Sequence, residues 1–106
     1  MRVVLVRPTH PGNIGACARA MKTMGLTRLC LVAPSRFPSA EATAMAAGAD
    51  EVLYHAGVHA SLPEALAGSG LVVGTSARRR GIAWPEAGPA AAAAEVLDAA
   101  RHGEVA

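Results

Sequence analysis

The run Val3-Val4-Leu5-Val6 passes almost at once into Thr9-His10-Pro11-Gly12-Asn13-Ile14-Gly15, and this junction constrains the fold more than any other stretch. A continuous β-branched and leucine run between Arg2 and Arg7 reads as a strand buried on both faces. Pro11 suits the first turn of a helix, Asn13 sits where a cap is expected, and Gly25 stops the helix that follows. A helix start of this kind offers unpaired backbone N–H groups to an anion. Numbered at 100° per residue from Ile14, the helix places Cys17, Ala18, Ala20, Met21 and Met24 on one broad apolar face, with Gly15, Arg19 and Lys22 on another side.

The same pattern recurs downstream. Arg28 to Val32 is a second buried-strand run, closed by Pro34 and Pro38, and Ser39 caps an alanine-rich helix that Gly48 ends. Glu51 to Tyr54 reads as a third short strand and His55 to Ala60 as a loop. Ser61 with Glu64 forms a capping box for a helix to about Ala67, and Leu71 to Val73 reads as a fourth strand. An alanine-rich helix from about Pro89 to Arg101 leads to Glu104-Val105-Ala106, which opens as a strand. Strands alternating with helices predict an α/β fold: a parallel sheet covered by helices on both faces, as a single domain over residues 1–106. In such folds the functional crevice lies beyond the carboxyl ends of the strands. Arg7 to Asn13 and Gly74 to Trp84, the two loops richest in chemistry, fall there.

A 106-residue chain buries roughly two thirds of its unfolded surface, enough for one modest core. Its aromatics are Phe37, Tyr54 and Trp84, too few for a platform that stacks single-stranded bases. The net charge of +2 is unevenly spread. Residues 1–40 carry Arg2, Arg7, Arg19, Lys22, Arg28 and Arg36 and no acid; every charge from Glu41 to Ala77 is acidic; Arg78, Arg79 and Arg80 then restore the positive sign. This asymmetry points to a polyanionic partner. Cys17 and Cys30 lie in no CxxC arrangement and read as buried reduced thiols, so neither a disulfide nor a metal site is expected. His55 and His59 stand four apart in a loop without carboxylate company, which argues against a metal there as well. No run approaches a signal peptide or a membrane span, and a cytoplasmic protein is expected.

Gly12-Asn13-Ile14-Gly15 lacks the GxGxxG pattern, and Ala33-Pro34-Ser35-Arg36 after the second strand lacks a ribose-binding acid, so a dinucleotide fold is disfavoured. No Gly-Lys-Ser/Thr follows, which excludes a P-loop. What remains is a helix start with Asn13, followed by Arg19 and Lys22. A second candidate is Gly74-Thr75-Ser76-Ala77-Arg78-Arg79-Arg80-Gly81, whose small residues let a ligand approach the backbone and whose guanidinium groups bind phosphate.

Two stretches carry a family resemblance. Val4 to Gly15, with Ala18-Arg19-Ala20-Met21-Lys22-Thr23-Met24-Gly25, resembles the first motif of the SpoU branch of the SPOUT RNA methyltransferases. Val72-Val73-Gly74-Thr75-Ser76-Ala77-Arg78 is similar to the TrmJ subgroup, which methylates a ribose 2′-hydroxyl in the tRNA anticodon loop with S-adenosylmethionine. The resemblance implies Asn13 and Arg19 at catalytic positions and Thr75, Ser76 and Arg78 on the cofactor or RNA rim; Thr75 and Ser76 are expected at the cofactor, and by their charge Lys22, Arg78, Arg79 and Arg80 on RNA. It implies a Rossmann-like N-terminal part of a trefoil-knot domain, and a homodimer in proteins of full family length. The glycine-rich segment and final motif that form the knot and most of the cofactor pocket are not in these residues. The chain alone is therefore expected to be inactive and to carry the substrate-activating half of the site. Two rival readings are a non-catalytic RNA-binding module and a small-molecule phosphate-binding α/β enzyme.

Overall fold

The computed structural model describes residues 1–75 and 88–106, which fall into two compact units, Met1–Ala67 and Gly68–Ala106. The first unit is a three-stranded parallel sheet in the order β1 (Arg2–Val6), β2 (Arg28–Val32), β3 (Gly57–His59), with Val6 level with Val32 and Val32 level with His59. Helix α1 (Pro11–Thr23) connects β1 to β2, and α2 (Ala40–Ala46) and α3 (Asp50–Tyr54) connect β2 to β3. Helix α4 (Leu62–Leu66) follows.

Alternation along the strands divides the core. Leu29 and Leu31 pack with Ile14, Ala18 and Met21 of α1, Ala42 and Ala46 of α2, and Val52 and Leu53 of α3, with Val3 and Leu5 against them. Cys30, Val32 and Val4 turn to the other face, where Ala65 of α4 covers them. The sheet is thus covered by helices on both faces, as the unbroken apolar runs predict.

Local signals act where the sequence places them. Helix α1 ends in a Schellman arrangement: Gly25, at φ 72°, donates to Lys22 O at 3.1 Å, and Leu26 to Met21 O at 2.9 Å. Ser39 Oγ accepts from Glu41 N–H at 3.2 Å at the start of α2. Glu64 Oε2 accepts from Ala60 and Ser61 N–H at 3.1 and 3.3 Å in the capping box of α4.

Three expectations are corrected. Glu51 to Tyr54 is not a strand but lies within helix α3, and the third strand is Gly57–His59, expected as loop. Asp50 and Glu51 in a first turn favour a helix, and a short edge strand needs little apolar pattern because one side of its ladder stays open. Asn13 is not the cap of α1; the helix begins at Pro11, whose fixed φ is already helical, and His10 occupies the cap without a side-chain bond. Finally, Gly15 is buried while Ala20 is exposed and Met24 is 74% exposed. Backbone of α2 passes so close to Gly15 that a Cβ there would collide with Ala42 O and Met45 Cβ, which swings the buried sector of α1 toward α2.

In the second unit, Leu71 forms a parallel bridge with Val105. Val73 N–H donates to Ala106 O at 2.9 Å and Ala106 N–H to Leu71 O at 3.0 Å. Helix α5 (Pro89–Ala100) begins after Gly88.

Candidate functional site

The carboxyl ends of β1 and β2 close in the same unusual way. Arg7 and Ala33, the residues directly after each strand, both adopt left-handed backbone, at φ 48° and 45°. Arg7 N–H reaches Val32 O at 2.7 Å and Ala33 N–H reaches His59 O at 2.9 Å, so the ladder runs one step past the strands before the chains turn away. Ser35 N–H then donates to Pro8 O at 3.2 Å, stitching the two departing loops together. The start of α1 rises directly from the first of these loops.

The first turn of α1 is a poorer anion cradle than the sequence suggests. Pro11 has no N–H, Asn13 N–H is taken by His10 O at 3.0 Å, and the Glu41 carboxylate lies 3.8 Å from where a Cβ on Gly12 would stand. A carboxylate there complements the positive helix end and competes with any incoming phosphate. The expectation of several free N–H groups for an anion is thereby narrowed, with that of Gly12 left in the first turn.

Asn13, Arg19 and Lys22 all lie on the solvent side of α1. Asn13 is the third residue of the helix and exposed, so its amide is presented outward rather than spent on a cap. Arg19, two turns along, is exposed and has no hydrogen-bond or ion-pair partner for its guanidinium among the described residues. With Lys22, Thr23, Ala46, Ala47 and Ala49 it lines a shallow hollow beside the end of α2. Lys22 Nζ donates to Gly48 O at 2.9 Å, where a cation meets the negative end of α2. Thr75 is exposed in the second unit, and Ser76, Arg78, Arg79 and Arg80 lie outside the described residues.

A larger cavity, about 710 Å³, gathers around Arg28 and Leu29 at the start of β2, Gly57 at the start of β3, and Asp50 and His55. Of the expected catalytic, cofactor and RNA residues that are described, it includes Lys22 and not Asn13, Arg19 or Thr75. No cluster of three metal-ligating side chains occurs among the described residues, and no described helix is long and apolar enough to cross a membrane. Cys17, half-buried in α1, has its thiol pushed up from the ordinary value by desolvation and stays protonated at neutral pH.

Sequence reasoning passed over Arg7, Ser35 and Glu41. A strained backbone and a cross-helix carboxylate leave no periodic trace; a non-glycine residue at positive φ is visible only once the chain is folded.

Comparison with known proteins gives a consistent picture. The SpoU rRNA Methylase family matches residues 1–87. The tRNA (cytidine/uridine-2'-O-)-methyltransferase TrmJ of Photorhabdus laumondii is 49% identical over all of this chain and 44% of its own length. The tRNA (cytidine/uridine/adenosine-2'-O-)-methyltransferase TrmJ of Pseudomonas aeruginosa is 51% identical, again over all of this chain and 42% of its own. The crystal structure of TrmJ from Z. mobilis superposes with a TM-score of 0.90 at 41% identity, over 96% of this chain and 45% of that one. The chain therefore spans less than half the length of these three relatives.

Proposed function

Because this chain belongs to the SpoU rRNA Methylase family, we propose that it carries the substrate-activating half of an S-adenosylmethionine-dependent methyltransferase acting on a ribose 2′-hydroxyl of tRNA. The observation that carries this reading is the outward presentation of Asn13 and of Arg19, whose guanidinium has no partner among the described residues, on one helix that starts at the carboxyl edge of the sheet. Relatives named as tRNA 2'-O-methyltransferases, matched along the whole chain, support it. The anticodon loop as target follows from the resemblance of the Val72 to Arg78 stretch.

A ribose hydroxyl is a weak nucleophile, so its proton must be withdrawn and its oxygen held in line with the methyl group. Arginine holds its proton too tightly to be more than a reluctant base. Arg19 acts chiefly by holding a phosphate and stabilising the negative charge that develops on the 2′-oxygen, while the hydroxyl proton leaves by way of that neighbouring phosphate. Asn13, freed from capping, donates and accepts hydrogen bonds that orient the ribose. S-adenosylmethionine supplies the electrophilic methyl group when bound; Thr75 and Ser76 are its proposed contacts. Thr75 is exposed and lines neither of the two described concavities, and the chemistry carried by the described residues concerns the hydroxyl alone. Lys22, Arg78, Arg79 and Arg80 are proposed to contact RNA. A cytoplasmic location and a homodimer in proteins of the relatives' length complete the reading.

In a protein of the relatives' full length, Arg19→Ala should abolish methyl transfer to tRNA while leaving cofactor affinity unchanged; retained turnover overturns the assignment. The exposed guanidinium groups of Arg7, Arg19 and Arg36, without a partner among the described residues, favour a second reading for the 106-residue chain by itself, that of a non-catalytic RNA-binding module. Calorimetric titration of that chain with S-adenosylmethionine should show no binding; saturable binding would place a cofactor site within these residues and overturn the non-catalytic reading.

A further inference from the structure

The question left by the first turn of α1 is where a phosphodiester would bind at this edge. Three features turn it away from the helix start: a proline without an N–H, an Asn13 N–H already donated to His10 O, and the Glu41 carboxylate beside Gly12. The neighbouring loops offer the opposite. Arg7 follows β1, Arg36 follows β2, and both are exposed with no hydrogen-bond or ion-pair partner for either guanidinium among the described residues. Their loops are tied by the Ser35 to Pro8 bond, which fixes the two arginine-bearing segments side by side. Arg7 is further fixed in left-handed backbone, a conformation that costs a non-glycine residue roughly 1–2 kcal/mol and is held here by its N–H bond to Val32 O.

We propose that Arg7 and Arg36 form a phosphodiester-binding fork at the carboxyl edge of the sheet, and that Glu41 keeps phosphate off the adjacent start of α1, leaving Asn13 for the uncharged ribose. Guanidinium groups bind phosphate oxygens bidentately, and two of them on tethered loops engage a backbone with little loss of chain freedom. The fork thus sets the register of the RNA strand relative to Asn13. This deepens the RNA reading above and rests on it.

The test uses a fluorescent synthetic RNA stem-loop, with anisotropy titrations across a KCl series. Arg7→Gly and Arg36→Gln should each weaken binding several-fold at fixed salt and lower the slope of log K against log[KCl] by about 1. Arg7→Lys should restore the slope. Since glycine fits the left-handed backbone, Arg7→Gly should hold or raise the Tm; a lower Tm would mark Arg7 as a structural residue and overturn the proposal. Wild-type binding with unchanged slopes in both variants would overturn the fork alone, whereas no wild-type binding would overturn the RNA reading and the fork with it. As an independent arm, inorganic phosphate should leave the amide resonances of Gly12 and Ile14 unmoved in the wild-type chain. Saturable shifts of those amides would place the anion on α1 and sink the idea.

Discussion

Helices α2 and α5 are both alanine-rich, and their alanines meet opposite fates. In the first unit Ala18, Ala42 and Ala46 are fully buried. In the second, no residue of α5 is buried, Leu97 is 62% exposed, and Val105 is the buried hydrophobic residue among those described. The difference lies less in the side chains than in how closely backbones approach. At Gly15 the absent Cβ lets α2 lie directly against α1, and at that spacing a methyl group suffices to fill the gap. Alanine contributes little area, so it builds a core only where main chains nearly touch.

Substitutions can break this contrast in graded steps. The largest effect is expected at Gly15→Ala, because the new Cβ would stand 2.1 Å from Ala42 O, a backbone atom that cannot swing aside. Separating α1 from α2 should cost about 3 kcal/mol or more, read as a lower urea midpoint together with lost exchange protection for core amides of β2. An unchanged midpoint would mean that the helices are not held by this contact. Val105→Ala comes next: two buried carbon atoms and a residual cavity correspond to roughly 2 kcal/mol, and the loss should show as faster exchange of the Gly70 and Val73 amides, which bond Glu104 and Ala106. Leu97→Ser should be smallest, within about 0.5 kcal/mol, since its side chain is already in water; a larger loss would show that α5 is packed in solution.

Cys17 sharpens the first unit's side of the comparison from another direction. Burial raises its thiol, so the folded protein keeps a proton that the unfolded chain gives up near the ordinary value of 9.0. Its contribution is therefore fully present below that value and declines as pH rises from there through the folded value.

Much of the fold was legible in the sequence because its signals are local. The apolar runs of β1 and β2, the glycine stop of α1, the Ser39 cap and the Ser61–Glu64 capping box each depend on residues within a few positions of one another, although β1 is only half-buried and its Val6 is exposed. The third strand was misread because Gly57-Val58-His59 has no apolar alternation, and pairing with β2 alone makes it a strand. The candidate site divides along the same line. Asn13, Arg19 and Lys22 could be named from motif and spacing, but that Lys22 caps the end of α2 while Arg19 finds no partner among the described residues depends on where α2 lies.

What the sequence determined by itself is the strand-to-helix junction, the parallel α/β class and the basic character of the first forty residues, since chain stiffness, hydrophobic period and charge are properties of neighbours along the chain. Only the tertiary structure decided that Gly15 is a packing surface, that Arg7 and Ala33 turn left-handed together, and that Glu41 stands guard beside Gly12. Each of these depends on segments far apart in sequence being brought within a few ångströms, and steric exclusion and electrostatics at that range act only once the chain has closed on itself.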